Sequence, residues 1–75
     1  MPDDLFKSLG RRVRDLRREK GLSQEKLAEK AELHRNYVGR IERGEPGVSL
    51  FVVAQLAGAL GLSLAEFFAS FKSRR

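Results

Sequence analysis

The chain has 75 residues, with fifteen Lys and Arg against ten Asp and Glu, one His and no Cys, for a net charge of +5 at neutral pH. A chain this short buries only about 60% of its unfolded surface, so one small core and a simple topology are expected. The missing cysteines exclude disulfide scaffolds, thiolate zinc sites and thiol chemistry, and with a lone histidine neither a multi-histidine metal site nor a Ser-His-Asp constellation is expected.

An enzyme is therefore not expected, and no metal or cofactor is implied. Charged residues at 33% and hydrophobic residues at 41% give a globular balance rather than a disordered one. The pI near 10.2 points towards a polyanionic partner. The opening Met1-Pro2-Asp3-Asp4 is acidic, unlike a secretory or transit segment. The most apolar run, Leu50 to Leu62, contains Gln55 and falls short of the about 20 apolar residues that a membrane span needs. A soluble, cytoplasmic chain is expected, with no membrane partner.

Helical spacing dominates, and no stretch alternates with period two. Leu5, Leu9, Val13 and Leu16 form one stripe on a helix from about residue 4 to 20, with Asp3 and Asp4 suited to its start, Lys20 to its end and Gly21 as a left-handed stop. Ser23 opens a second helix with apolar Leu27, Ala28 and Ala31. Arg35 to Arg43 reads as a short third helix, stopped by Gly44 and followed by the loop Glu45-Pro46-Gly47. Ser49 caps a fourth helix, Leu50 to Leu60, whose nearly continuous apolar residues predict a helix at the centre of the core. After Gly61, Ser63 and Glu66 make a complete capping box for a fifth helix with Leu64, Phe67, Phe68 and Phe71 on its apolar side. Lys72 to Arg75 is a basic tail. The fold class is all-α, a single domain over 1–75 with its core at about 5–70.

From Gln24 to Arg43 the chain carries a specific twenty-residue pattern. Counting Gln24 as first, Leu27 is fourth, Ala28 fifth, Ala31 eighth, Leu33 tenth, Val38 fifteenth and Ile41 eighteenth. Two helices crossing steeply over a tight turn need a small residue at the fifth position and an apolar wedge at the others. This is the pattern of a DNA-binding helix-turn-helix formed by helices two and three. Two positions depart from it. The ninth, where a left-handed turn favours glycine, is Glu32, and the cap of helix three is His34, a poor neutral capper whose ring either meets phosphate or stays exposed.

The blocks RRVRDLRREKGLSQEKLAEKAEL, HRNYVGRIERGEPGVSL and LAGALGLSLAEFF resemble the Cro/repressor-type (XRE-like) helix-turn-helix family over residues 5 to 70. LHRNYVGRIERG followed by VSL is especially similar to the small controller proteins of restriction–modification systems. The resemblance implies a five-helix, lambda-repressor-like domain binding operator DNA as a homodimer, with helix three in the major groove. Within it, Arg35, Asn36, Gly39 and Arg40 are the base-contacting candidates. Arg chelates guanine O6 and N7 and Asn chelates adenine N6 and N7, while Gly39 leaves room for close approach. Ser23 and Gln24 at the start of helix two, Tyr37 and Arg43 are the candidates for the DNA backbone. Tyr37 equally suits phosphate, sugar or half-buried packing. Arg11, Arg12, Arg14 and Arg18 on helix one are either a solvated face or further phosphate contacts.

In this family a helix-one arginine pairs with the glutamate of the I-E-x-G block, which maps onto Arg17 and Glu42 as a structural ion pair. Leu64, Phe68 and Phe71 are expected at a dimer interface, the other possibility being that all the helix-five aromatics are core. The expected function is a dimeric, sequence-specific transcription regulator of repressor or controller type that binds double-stranded DNA at a palindromic operator, with no small-molecule effector. The alternative is an antitoxin-like interaction module. Met1 and the capped fifth helix argue against an enzyme's detached DNA-binding domain, and the narrow stripe of helix one argues against a membrane-surface helix.

Overall fold

The computed structural model describes residues 5–69. Over them run α1 (Leu5–Glu19), α2 (Gln24–Ala31), α3 (Arg35–Glu42), α4 (Leu50–Ala59) and α5 (Leu64–Ala69). Each expected helix is present, with its ends within a residue or so of the expected ones. Asp3, Asp4, Phe71 and the basic tail lie outside the described residues.

The helix ends follow from local chemistry. Ser23 Oγ accepts the Lys26 N–H at 2.9 Å and Ser49 Oγ accepts the Val52 N–H at 3.1 Å. At α5 the box is reciprocal: the Glu66 N–H donates to Ser63 Oγ at 3.0 Å and the Ser63 N–H to Glu66 Oε1 at 2.9 Å. Each bond satisfies a donor that the first helical turn leaves without a partner. Gly21, at φ +71°, closes α1 in the left-handed region.

The core draws on every helix. Leu9, Val13 and Leu16 of α1 meet Leu27, Ala28 and Ala31 of α2, Val38 and Ile41 of α3, Val52, Val53, Leu56 and Ala57 of α4, then Leu60 and the fully buried Phe67. One sequence expectation needs correction. Leu5, placed on the α1 stripe, is 64% exposed, because no element among the described residues covers the first turn at that point. In the fourth helix the core expectation holds, with Val52, Val53, Leu56, Ala57 and the cap residue Leu60 buried, while Leu50 and Phe51 at its start are exposed, Phe51 at 72%. An apolar helix buries only what its neighbours cover, and the first turn of α4 projects past them.

Two contacts set how the other helices hold α1. Gly10 is buried where α1 crosses α3, and a Cβ there would lie 2.8 Å from the Glu42 carbonyl oxygen and almost on that of Ile41. At the other side Arg12 donates from Nε to the Phe67 carbonyl at 2.9 Å, with its guanidinium 5.7 Å from the Phe67 ring centroid. Arg12 thus ties α1 to α5 through its Nε. Gln55 of α4 donates to the Ala31 carbonyl at 3.0 Å, satisfying the end of α2. Among the described residues, no helix is long and apolar enough to cross a membrane.

Candidate nucleic-acid interface

The turn between α2 and α3 decides how α3 is presented. Glu32 sits at φ 61°, ψ 43°, so the left-handed conformation is kept without glycine. The strain of about 1 kcal/mol is offset by hydrogen bonds from the Leu33 N–H to the Ala28 carbonyl at 2.8 Å and from the Glu32 N–H to the Glu29 carbonyl at 3.2 Å. Leu33 then packs on the core. His34 caps α3 better than its residue type predicts: its Nδ1 accepts the Asn36 N–H at 3.2 Å, which requires an unprotonated Nδ1.

Behind α3 the expected ion pair is present. Arg17 Nε lies 2.6 Å from Glu42 Oε2 and Arg17 Nη2 3.0 Å from Oε1, a two-point pair with side chains only 12% and 5% exposed. Arg17 Nη1 also donates to the Leu22 carbonyl at 2.8 Å, and Gln24 Nε2 donates to Glu42 Oε1 at 3.0 Å. One carboxylate therefore fixes α1, the chain entering α2, and α3. The Glu42 hydrogen bond raises the Arg17 pKa above its ordinary value against the opposing effect of burial, with the opposite charge adding to the rise.

In front lies a concavity of about 640 Å³ between the start of α2 and the outer face of α3. It gathers Ser23, Gln24, Arg35, Asn36, Gly39, Arg40 and Arg43, seven of the eight residues singled out for nucleic acid, together with Arg17 and Glu25. Arg35, Asn36, Arg40 and Arg43 are exposed; Gly39 is not. A Cβ on Gly39 would stand 3.3 Å from Arg43 Nη1 and 3.6 Å from Gln24 Oε1. The glycine makes room first for these two side chains, which cover it. Tyr37 is set apart, half-buried against the core and lining a neighbouring depression with Glu45 and Val48. Of its open roles, packing is the one visible here.

The arginines of this groove have acidic companions that the sequence analysis did not single out. Arg35 Nη1 is 3.6 Å from Glu25 Oε1. Glu45 divides its carboxylate, with Oε1 3.0 Å from Arg40 Nε and Oε2 3.1 Å from Arg43 Nε. Hydrogen bonds from Arg40 and then Arg43 hold its pKa below the ordinary 4.5. A signal existed: Glu45 follows the Gly44 stop, where a tight turn folds the chain back on the last turn of α3. Elsewhere on α1, Arg14 Nε is buried with no hydrogen-bond partner among the described residues, beside Arg18 and Arg43 in an adjoining hollow. In α5, Leu64 is half-buried against the core and Phe68 is 39% exposed, its ring edge-on to Phe67 at 5.0 Å between centroids. Phe71 lies outside the described residues.

The profile of the helix-turn-helix domain family matches residues 8–67. The chain belongs to that family. The control protein C.SmaI of Serratia marcescens is 43% identical to this helix-turn-helix chain over 70 residues, covering 85% of it and 83% of the control protein. The immunity repressor protein of Bacillus phage phi105 is 42% identical over 57 residues, and there the chain spans only 40% of the relative's length. Among solved structures, the restriction–modification controller protein C.AhdI from Aeromonas hydrophila superposes with a TM-score of 0.79 at 48% identity, covering 84% of this chain and 96% of that one. These likenesses agree with the five-helix, lambda-repressor-like fold and with the resemblance drawn from the residues.

Proposed function

We propose that this helix-turn-helix protein is a sequence-specific transcription regulator, of repressor or controller type, that binds a palindromic DNA operator as a homodimer with α3 in the major groove. One observation carries the reading. The concavity collects three exposed, base-competent side chains, Arg35, Asn36 and Arg40, from one face of α3, beside the N-terminus of α2 with Ser23 and Gln24. Groove-reading needs that combination: forked donors for guanine, an amide for adenine, and helix-end N–H groups for phosphate. Ser23 Oγ already accepts from Lys26, so its hydroxyl hydrogen remains to donate. The relatives named as control and repressor proteins support the same assignment. Gln24, Arg43 and the Arg14 side of the adjoining hollow serve the backbone in this scheme. The second subunit packs on the exposed apolar residues Leu50, Phe51 and Phe68 of α4 and α5 and on the half-buried Leu64; Phe71, also expected at this interface, lies outside the described residues.

The test is selection of bound sequences from random duplex DNA at stated salt. Recovery of an inverted repeat with a guanine in each half-site, lost in Arg35→Ala, supports the proposal. No enrichment over random DNA overturns it and favours the interaction-module alternative.

A further inference from the structure

Glu45 stands at the edge of the reading face, between Arg40 and Arg43. It belongs to the turn that ends α3, and its backbone N–H donates to the Arg40 carbonyl at 3.1 Å, so the turn fixes it relative to the helix. Its two carboxylate oxygens are divided between two arginines, each held through Nε. The three side chains are well exposed, at 58% for Arg40, 63% for Arg43 and 41% for Glu45. In water such pairs exchange freely and add little to folding. Their geometry has another consequence. A guanidinium has five N–H donors in a fixed fork, and guanine takes two of them through O6 and N7. With Nε of Arg40 on Glu45, the Nη1/Nη2 end stays free and is aimed by the carboxylate behind it. A phosphate, by contrast, responds to net charge, and one carboxylate shared by two arginines cancels half of theirs.

We propose that Glu45 is a specificity-determining residue: it orients Arg40 for a base edge while withholding positive charge from non-specific phosphate contact. The proposal rests on the reading of α3 as the DNA-reading helix. A non-operator duplex is held through its phosphates, so engaging it means giving up or sharing Glu45 for a partner of like charge. An operator offers a base edge that Arg40 takes without leaving Glu45. The residue lowers affinity for all DNA and lowers it least for the right sequence.

Glu45→Gln tests this, since it keeps shape and hydrogen-bonding capacity and removes the charge. Binding of the full chain would be measured by fluorescence anisotropy on two duplexes, one recovered by selection with the parent protein and one scrambled, across a salt series. Thermal melts of both proteins confirm an intact fold, which the exposed turn position leads one to expect. Releasing one net positive charge to phosphate steepens the salt slope on scrambled DNA by about 0.9, equivalent to about eightfold tighter binding near 0.1 M salt. The selected duplex gains less, so the ratio of specific to non-specific affinity falls severalfold.

An unchanged slope on scrambled DNA with an unchanged ratio overturns the proposal and leaves the functional reading intact. Equal weakening on both duplexes also overturns it, because that is the signature of a merely structural residue. If the parent protein prefers no sequence at all, the functional reading fails and this inference fails with it.

Discussion

Removing the Glu42 carboxylate by Glu42→Ala is the sharpest test of how the reading head is held. The substitution strands Arg17, whose side chain is only 12% exposed and has Glu42 as its sole carboxylate partner among the described residues. Breaking a buried pair on one side costs about 3–5 kcal/mol, and the remaining solvent access of Arg17 and its bond to the Leu22 carbonyl place this case at the lower end, about 3 kcal/mol. A domain of this length has roughly 4–11 kcal/mol of stability in all, so the loss is a large share of it. It corresponds to a fall in melting temperature of roughly 12–24 °C for a domain of this size. Circular dichroism melts at one fixed protein concentration measure it, since subunit association would make the midpoint concentration-dependent. Two companion variants separate causes. Glu42→Gln keeps an acceptor for Arg17 and is expected to lose about half as much. Replacing both partners, Arg17→Met with Glu42→Leu, removes the uncompensated charge and should recover most of the stability. A Glu42→Ala midpoint within about 3 °C of the parent, less than 1 kcal/mol by the same conversion, would refute the claim that this pair locks α1 to α3.

Two glycines make a contrasting pair. Gly10→Ala drives a methyl group into the Ile41 and Glu42 carbonyls, which are backbone and cannot turn aside, and should destabilise by about 1–3 kcal/mol despite the better helix propensity. Gly58→Ala meets nothing within 4 Å in the last turn of α4 and should stabilise by about 0.5 kcal/mol, both read from denaturant midpoints. For the subunit contact, Phe68→Glu places a charge on the exposed α5 ring and should yield a folded monomer by sedimentation equilibrium; an unchanged molecular mass would remove Phe68 from the interface. The Glu45 carboxyl should titrate below 4.5 by NMR, moving back towards that value in Arg40→Ala and less in Arg43→Ala. Because its folded pKa is lowered, whatever its pairs contribute is present above 4.5 and is lost as pH falls through the lower midpoint.

The helices were legible because their ends are written in side chains that act locally: three serine caps, and Gly21 and Gly61 at left-handed stops. The apolar wedge of α2 and α3 was legible for a similar reason, since the spacing of Leu27, Ala28, Ala31, Val38 and Ile41 survives unchanged as burial. What escaped depends on which neighbour arrives. Gly10 looks like any helical glycine until α3 crosses it. Leu5 looks like core until the first turn of α1 is found exposed. Arg12 looks like part of a charge run until the Phe67 carbonyl takes its Nε. At the site, the reading residues of α3 follow from helical phase. The acids beside them do not, because Glu25 comes from another helix and Glu45 from the far side of a turn. His34 and Glu32 show the converse: residue types that disfavour a conformation still adopt it when surrounding bonds over-determine the backbone.

The glycine beneath Gln24 and Arg43 limits how this surface can be redesigned. A library that randomises α3 to retarget the protein could vary Arg35, Asn36 and Arg40, which project from the helix without supporting anything behind it. Gly39 belongs outside such a library. Alanine there already presses the flexible end of Arg43, and any larger side chain would push Gln24 off Glu42 and alter the seating of α2 on α3. Variants selected at that position would change the angle at which the helix is offered, and with it the reading of every other position at once.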